Sequence, residues 1–354
     1  MRTLKFSDYF KNAGHDVTLL CYPNSFLNKE ARQLGIKTID FPFSNALQLN
    51  LILKLRQILK KEYFEIIHLQ YSKDLQFVIP AVKNIKPKIP VVLTKRVGSF
   101  INKKDIYHKY LYSGVDLITT ISNVIRQNVI NTCPITPDKV EVIYNGIDIK
   151  IFQEAGKKRN QTRAVMDISD EIAVGMFGRF SPGKGHEELL NAARIILDKK
   201  YNVKFWIVGE ASFGEDQYAK NIYELSKKLN LNDSVKFLGY RKNVPELMSA
   251  IDILAVPSHA EAFGNVAIEG MASAKPVVAS NTDGLLDIVI DGETGIQFPP
   301  GNSVLLSEAL IRLIENEDLR IKFGNAGLKR VSEMFNEKIQ FKKFESRFTE
   351  LIHK

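Results

Sequence analysis

The 354-residue sequence has few of the features that mark membrane-spanning, disulfide-linked or metal-binding proteins. It contains no continuous apolar run of about 18 residues, which excludes an ordinary transmembrane helix. Its two cysteines, Cys21 and Cys133, lie far apart and match no zinc spacing, so we interpret them as reduced structural thiols. The opening segment "MRTLKFSDYFKNAGHDV" mixes charged and apolar residues, unlike a signal peptide. We therefore expect a cytoplasmic protein, with the inner face of the cytoplasmic membrane as a second location.

Positive charge is concentrated in the first half of the chain. The whole sequence carries +9, whereas residues 1–150 contain 22 Lys and Arg against 12 Asp and Glu, a net +10. Residues 151–354 contain the remaining 27 Lys and Arg and 28 Asp and Glu, a net charge of −1. A basic half of this kind favours an anionic acceptor or an anionic membrane surface, although it also serves solubility. Nucleic acid is not an expected partner, because no basic run with interleaved aromatic residues occurs.

Short β-branched runs alternate with longer helical patterns along the chain. Strands are predicted at "DVTLLCY", "KTIDF", "FEIIHLQ", "PVVLT", "DLITTI", "KVEVIYN", "IAVGMFG", "NVKFWIVG", "SVKFLGY", "DILAVP", "KPVVAS" and "TGIQF". Helices are predicted at 45–61, 122–132, 186–200, 217–230, 303–315 and 336–352. This alternation indicates βαβ units, and the chain is long enough for two cores. We predict an α/β fold of two Rossmann-like, doubly wound parallel-sheet domains that face a central cleft.

The domain boundaries follow from composition. We place the first domain at 1–160, the second at 161–335 and a separate helix near the domain boundary at 336–354. The polar segment 151–171 is predicted to be the interdomain linker. In the last helix, three phenylalanines recur at spacings of three and four residues, which is typical of a packing stripe; they are Phe341, Phe344 and Phe348.

A glycine-rich turn, "GRFSPGKG" at 178–185, lies between a predicted strand and a helix. It falls one residue short of a P-loop, because Gly185 stands where a Mg²⁺-binding Ser or Thr would follow the lysine. Glycines allow close approach of the backbone to a ligand, and the helix start offers unpaired N–H groups. With Arg179 and Lys184 the turn is suited to a diphosphate. A glycine turn with two solvated cations is the simpler alternative.

Two glutamates follow eight residues apart in "PSHAEAFGNVAIEGMASAKPVVAS". If all eight steps were helical, Glu261 and Glu269 would lie about 12 Å apart along the axis. A glycosidase needs its two carboxylates roughly 5 to 9.5 Å apart. We therefore interpret them as acceptors for hydroxyl groups of one extended polar ligand. Surface glutamates, one of them favouring a helix N-terminus, are the alternative.

These segments, together with "VEVIYNGID" and "FLGYRKNVPELMSAIDILAVPSHAEAFGNVAIEGMASAKPVVASNTDGLLDIVIDGETGIQFPPGN", resemble the retaining glycosyltransferases of family 4, which have the GT-B fold. The resemblance spans roughly residues 2–350 and is densest in the second half. It implies an acceptor-side first domain and a second domain that binds a nucleotide-diphosphate sugar. It also implies a glycan or lipid-linked acceptor, and neither an obligatory metal nor a bound cofactor.

The resemblance assigns roles by position. Arg179 and Lys184 would neutralise the diphosphate, Glu261 would contact the transferred sugar, and Glu269 would hold the ribose. The remaining donor-binding positions are Gly178, Gly183, Gly239, Tyr240, Phe263, Gly264 and Asn265. The two histidines of these loops, His186 and His259, are predicted to be local hydrogen-bond partners rather than bases. "YNGID" (Asn145, Gly146 and Asp148) is predicted to be a structural turn.

The first half departs from the family pattern. Members open with a strand and a Gly-Gly loop, whereas "RTLKFSDYFKNAGHDVTLLC" resembles the end of the first helix and the second strand. We therefore expect the central first strand to be missing, through truncation or a late start, with a hole left in the core. Many members carry a histidine after the strand "PVVLT", where this chain has Lys95 and Arg96. These two cations and His68 are candidates for contacting an anionic acceptor. The alternative is that the cations lie on the rim of the site and attract the acceptor only weakly.

The basic amphipathic helix "ALQLNLILKLRQILKK" suits a membrane surface, but packing on its own sheet is the favoured interpretation. The functional hypothesis is a metal-independent retaining glycosyltransferase of cell-surface polysaccharide or lipopolysaccharide synthesis. A nucleotide-sugar epimerase of the same architecture and an inactive donor-binding subunit are the alternatives.

Overall fold

A computed structural model describes residues 2–43 and 48–354. The chain forms two compact units. Unit 1 comprises residues 1–144 together with 340–354, and unit 2 comprises residues 145–339. Within the described ranges, no helix is both long and apolar enough to cross a bilayer.

Unit 1 alternates strands and helices, as predicted. In chain order its elements are α1 (Arg2–Asn12), β1 (Thr18–Cys21), α2 (Phe26–Gln33), β2 (Lys37–Asp40), α3 (Leu49–Lys61), β3 (Ile67–Leu69), α4 (Leu75–Val82), β4 (Val91–Lys95), α5 (Ile106–Ser113), β5 (Leu117–Thr120), α6 (Asn123–Thr132) and β6 (Val140–Val142). Of the helix predicted at 45–61, residues 45–47 lie outside the described residues. The apolar side of α3 is buried, so this helix packs on its own unit as favoured from the sequence.

The strands of unit 1 form two parallel sheets, β1–β2 and β3–β4–β5–β6. No hydrogen-bonded ladder joins these sheets in the described part of the chain. Helix α1 joins the two halves by packing, because Leu4 contacts the cluster of Ala31 and Ile36 while Phe10 contacts that of Val92.

Unit 2 contains one parallel six-stranded sheet with the order β12-β11-β10-β7-β8-β9. Its elements are α7 (Ile149–Gly156), α8 (Arg159–Val165), β7 (Ile172–Phe177), α9 (His186–Asp198), β8 (Val203–Val208), α10 (Asp216–Lys228), β9 (Val235–Gly239), α11 (Val244–Ala250), β10 (Ile253–Val256), α12 (Asn265–Ala272), β11 (Val277–Ser280), α13 (Leu285–Ile288), β12 (Gly295–Phe298), α14 (Ser303–Ile314) and α15 (Glu317–Met334). The central strands are buried on both faces, which explains their nearly continuous apolar sequences.

The polar segment 151–171, predicted to be a linker, instead forms much of α7 and all of α8. Its arginines bind unit 2: the guanidinium of Arg163 donates to Asp252 Oδ2 at 2.9 Å, and that of Arg159 donates to the Ile251 carbonyl at 2.7 Å. Asp252 also accepts the Ala173 N–H at 2.8 Å, which ties α8 to the amino end of the sheet. The segment is polar because its charged side chains cap neighbouring strands and helices.

The last helix, α16 (Glu337–Ile352), enters unit 1 at residue 340. Phe344 and Phe348 are buried in the same cluster as Phe10, Val92 and Leu117. The aromatic stripe predicted from its spacing is therefore a packing stripe, and part of the core of unit 1.

Candidate functional site

In unit 2 the predicted site residues lie in loops at the carboxyl end of the sheet. The glycine-rich turn follows the central strand β7, and Gly183 and Gly185 adopt φ angles of +79° and +85°. A Cβ atom on Gly185 would lie 2.1 Å from the carbonyl oxygen of Pro257, so only glycine allows the turn to approach the loop after β10 this closely. The His259 N–H donates to the Gly183 carbonyl at 2.8 Å and links the same two loops.

Lys184 and Glu261 form an ion pair across these loops, and both side chains are partly exposed. The hydroxyl of Ser258 donates to the same carboxylate oxygen of Glu261 at 3.2 Å. The main chain of Glu261 is held from the loop after β11, since its N–H donates to Asp283 Oδ2 at 3.2 Å and its carbonyl accepts the Gly284 N–H at 2.8 Å. The structure therefore brings together a cation and a carboxylate to which the sequence assigned separate roles.

Arg179 extends over the loop after β8, where its guanidinium donates to Ser212 Oγ at 3.0 Å. The glycine-rich turn is fixed at its start to the end of β8, because the Gly178 N–H donates to the Val208 carbonyl at 2.9 Å. One strand further, Gly239 ends β9 with φ of +65°, and the side chain of Tyr240 is exposed. An exposed aromatic side chain in the loop after β8, Phe213, escaped the sequence analysis because nothing distinguishes it from an ordinary loop residue.

Two helices of this edge begin without a side-chain cap. α9 begins after Gly185 and α12 after Gly264, and neither glycine has a side chain that could accept from the first N–H groups of its helix. Phe263 is buried and packs edge-on against Phe335 at 5.8 Å, so it supports the start of α12. The amide of Asn145 donates to Asn265 Oδ1 at 3.4 Å. Helix N-termini of this kind attract anions, in line with the diphosphate predicted for this turn.

The spacing argument for the two glutamates needs correction. α12 begins only at Asn265, so four of the eight steps from Glu261 to Glu269 are helical and the assumed 12 Å rise does not apply. Glu269 lies in the second turn of α12 and is partly buried.

The two loop histidines have local partners, as expected. Burial and the charge of Lys184 lower the pKa of His186 to about 4, so it is neutral at physiological pH. Its ring stacks on Phe180 at 4.5 Å. His259 contacts Glu188 Oε1 at 2.7 Å. In the predicted structural turn, a Cβ atom on Gly146 would lie 2.3 Å from the Cα of Glu337, and Asp148 caps α7.

Unit 1 has its own polar edge at the carboxyl ends of β3, β4 and β5. His68 Nε2 lies 2.7 Å from Thr94 Oγ1, which lies 2.7 Å from Thr119 Oγ1. The guanidinium of Arg96 donates to Gln70 Oε1 at 2.7 Å, and the Gln70 amide contacts the His68 ring. Burial, with a smaller effect of Arg96, lowers the pKa of His68 to about 3 and keeps the ring neutral.

Lys95 differs from the other cations of the two edges. Its side chain is only 6% exposed, and its ammonium makes no ion pair or hydrogen bond to any described residue. Burial, and then the nearby charge of Lys103, lower the pKa of Lys95. Lys95 is the last residue of β4 and Arg96 follows it, so both cations lie at the carboxyl end of this strand.

Some contributing residues were not singled out from sequence. Ser258 and Asp283 fix Glu261, and Ser212 holds Arg179. Ser258 was visible in the segment "PSHAE" and Asp283 in "NTDG", but their partners are remote in sequence. In the described ranges, no cluster of three His, Cys, Asp or Glu side chains is arranged to hold a metal ion.

Both parts of the chain match known families of proteins. Residues 158–330 match the family model described as glycosyl transferases group 1, and residues 2–151 match that of glycosyltransferase family 4. The uncharacterized glycosyltransferase MJ1178 of Methanocaldococcus jannaschii is 32% identical over 79% of this chain and 74% of its own length. The capsular polysaccharide biosynthesis glycosyltransferase CapM of Staphylococcus aureus is 29% identical over 68% of this chain, and the match spans 63% of CapM.

Among solved structures, Anabaena Alr3699/HepE in complex with UDP superposes with a TM-score of 0.83. The two chains are 23% identical, and the superposition covers 98% of this chain and 95% of HepE. The fold is therefore GT-B, with two Rossmann-like α/β units. The chain belongs to the family 4 glycosyltransferases of group 1.

Proposed function

We propose that this protein transfers a sugar from a nucleoside-diphosphate sugar to a glycan or lipid-linked acceptor during polysaccharide synthesis, with retention of configuration and without a metal ion. The carrying observation is the Lys184–Glu261 ion pair between the glycine-rich turn and the loop before α12. HepE was solved with UDP, and CapM is named for capsular polysaccharide synthesis, which makes UDP-sugars the first donors to test.

The chemistry of unit 2 suits departure of a nucleoside diphosphate. Negative charge gathers on the diphosphate as the glycosidic bond breaks, and fixed cations and helix N-termini stabilise that charge. Lys184 would exchange its contact with Glu261 for the diphosphate, while Arg179 would release Ser212 and approach the same group. Glu261, freed from Lys184, would accept hydrogen bonds from the sugar hydroxyls. Glu269 would hold the ribose, and Tyr240 would lie beside the base.

Unit 1 would supply the acceptor side. Lys95 has no anionic partner among the described residues, so an acceptor phosphate or carboxylate would gain a contact without displacing one. Arg96 is held by Gln70 and offers its remaining donors to the same acceptor. The partly buried, neutral His68 would support Thr94 rather than act as a base, since its pKa of about 3 makes it a weak one.

The test is sugar release from UDP-, GDP- and ADP-sugars by the full chain and its Lys184→Ala variant. We expect kcat/KM to fall on the order of 10²-fold or more, because one charge-assisted contact to the leaving group is lost. Lys227→Ala, an exposed lysine of α10, is the matched control and should retain full activity. Donor binding by calorimetry without any turnover would favour an inactive donor-binding subunit, and undiminished turnover by Lys184→Ala would refute the proposed role.

A further inference from the structure

A short segment of unit 1 exposes an unusual number of large apolar side chains. Between β4 and the first turn of α5, five of eleven consecutive residues are apolar and open to solvent. They are Val97 (62% exposed), Phe100 (102%), Ile101 (63%), Ile106 (86%) and Tyr107 (46%), and together they define the 97–107 surface. Single exposed apolar residues are normal, but a cluster of this size on one segment marks an interaction surface.

The segment is held in place rather than loose. Ser99 is buried, its N–H donates to Asn128 Oδ1 at 2.6 Å, and its carbonyl accepts from the Asn128 amide at 3.1 Å. Four residues later, the Lys103 N–H donates to the Thr132 carbonyl at 2.7 Å. Helix α6 therefore fixes the chain on both sides of Phe100 and Ile101. A main chain that is already fixed loses little conformational entropy when the segment binds a partner.

The charge around these side chains is positive. Lys103, Lys104 and Lys109 lie in or next to the 97–107 surface. The one acidic residue between 97 and 110, Asp105, caps α5 by accepting the His108 N–H at 3.1 Å and contacts the His108 ring at 2.5 Å. Exposed apolar side chains interspersed with lysines suit an anionic phospholipid surface, where the apolar groups enter the acyl boundary and the lysines meet phosphates.

We propose that the 97–107 surface docks unit 1 on an anionic phospholipid bilayer. The surface begins two residues after Lys95 and one after Arg96, so docking brings the carboxyl end of β4 to the headgroup layer. Helix α3, the membrane candidate of the sequence analysis, is not the docking element in this proposal, because its apolar stripe of Leu51, Leu55 and Leu59 is buried and its two exposed leucines are Leu49 and Leu53. Docking is a binding property, so it stands or falls independently of the proposed sugar transfer.

The experiment is sedimentation of the full chain with vesicles of phosphatidylglycerol and phosphatidylcholine, and with vesicles of phosphatidylcholine alone. We expect binding to the anionic vesicles that weakens as salt is added.

The variants test the two kinds of side chain separately. The double variant Phe100→Ser/Ile101→Ser should bind the anionic vesicles at least about tenfold more weakly than the wild type, because apolar area is lost. Lys103→Gln/Lys104→Gln should bind about 30-fold more weakly, at roughly 1 kcal/mol for each lysine. The matched control is Leu49→Ser/Leu53→Ser, two exposed leucines on α3, which should bind like the wild type.

A Phe100→Trp variant reports insertion directly. The native tryptophan, Trp206, is fully buried in unit 2, so a blue shift on adding anionic vesicles would come from position 100. Unchanged binding by the Phe100/Ile101 variant, or equal binding to neutral and anionic vesicles, would overturn the proposal. So would a dimer that the Phe100/Ile101 variant abolishes in the absence of vesicle binding, because the surface would then cover a second copy.

Discussion

The carboxyl edges of the two units hold their cations in opposite ways. In unit 2, Lys184 is paired with Glu261 and Arg179 rests on Ser212, and both cations reach solvent. In unit 1, Lys95 is buried without an anionic partner in the described part of the chain, and Arg96 is half-buried against the neutral amide of Gln70. One edge carries its own counter-charge, and the other does not.

If both edges bind ligands as proposed, this difference in counter-charge would give them two modes of ligand binding. A cation already paired with a carboxylate must exchange partners, so the carboxylate is released at the moment the ligand arrives and can contact another part of it. A buried cation without a partner is destabilising until an anion binds. Unit 2 is thus suited to a ligand that has both an anionic and a hydroxyl-bearing part. Unit 1 is suited to an anionic ligand that supplies the counter-charge of Lys95.

Removing the counter-charge of unit 2 should have the largest effect. In Glu261→Gln, we expect turnover of a UDP-sugar to fall about 10²-fold, because the sugar loses its carboxylate contact. Free UDP should bind about threefold more tightly, because Lys184 no longer has to leave a partly exposed ion pair. Calorimetry with UDP and a steady-state assay separate the two effects. Glu293→Gln is the exposed control, and weaker UDP binding by Glu261→Gln than by wild type would contradict the comparison.

The partly buried His68 of unit 1 should make the free energy of unfolding depend on pH in the acid range. The pKa of His68 is lowered from 6.5 to about 3, so the unfolded chain binds a proton below pH 6.5 that the folded chain refuses. Stability contributed by the neutral ring is therefore present above pH 6.5 and is lost as the pH falls toward 3, by about 2 kcal/mol at pH 5.

Urea unfolding of wild type and His68→Gln at pH 7 and pH 5 tests this. The destabilisation caused by the substitution should be about 2 kcal/mol smaller at pH 5 than at pH 7. Burial raises the pKa of Asp74 to about 6 and works in the opposite direction, but Asp74 is present in both proteins and cancels in the difference. An identical effect of the substitution at both pH values would show that His68 is not held neutral.

The smallest effect is expected where unit 1 carries its unpaired charge. Lys95→Met should raise the free energy of unfolding by about 1 kcal/mol, since an apolar chain of similar length replaces a largely buried lysine that has no anionic partner among the described residues. Urea unfolding at pH 7 measures this, with the exposed Lys104→Met as control. If Lys95→Met is less stable than the wild type, the Lys95 ammonium must have a stabilising partner, and Lys95 would then not differ from Lys184 in this respect.

The sequence predicted the strands of both units because each is a short β-branched run between turn residues, and every predicted strand is present. It failed at 151–171, where Arg159 and Arg163 find their partners some 90 residues away. The glycine-rich turn was also predictable, since the positive φ angles of Gly183 and Gly185 require that residue type. The pairing of Lys184 with Glu261 was not, because it depends on how two loops meet after strands distant in sequence.

The course of α16 has a consequence for biosynthesis. The core around Val92 and Leu117 receives Phe344 and Phe348, which are translated about 200 residues after β6 ends. At roughly 5 to 20 residues per second, the first unit waits about 10 to 40 s on the ribosome with an apolar face uncovered. Unit 2, whose residues are contiguous, can close its core first, so the order of folding is expected to be the reverse of the order of the domains along the chain.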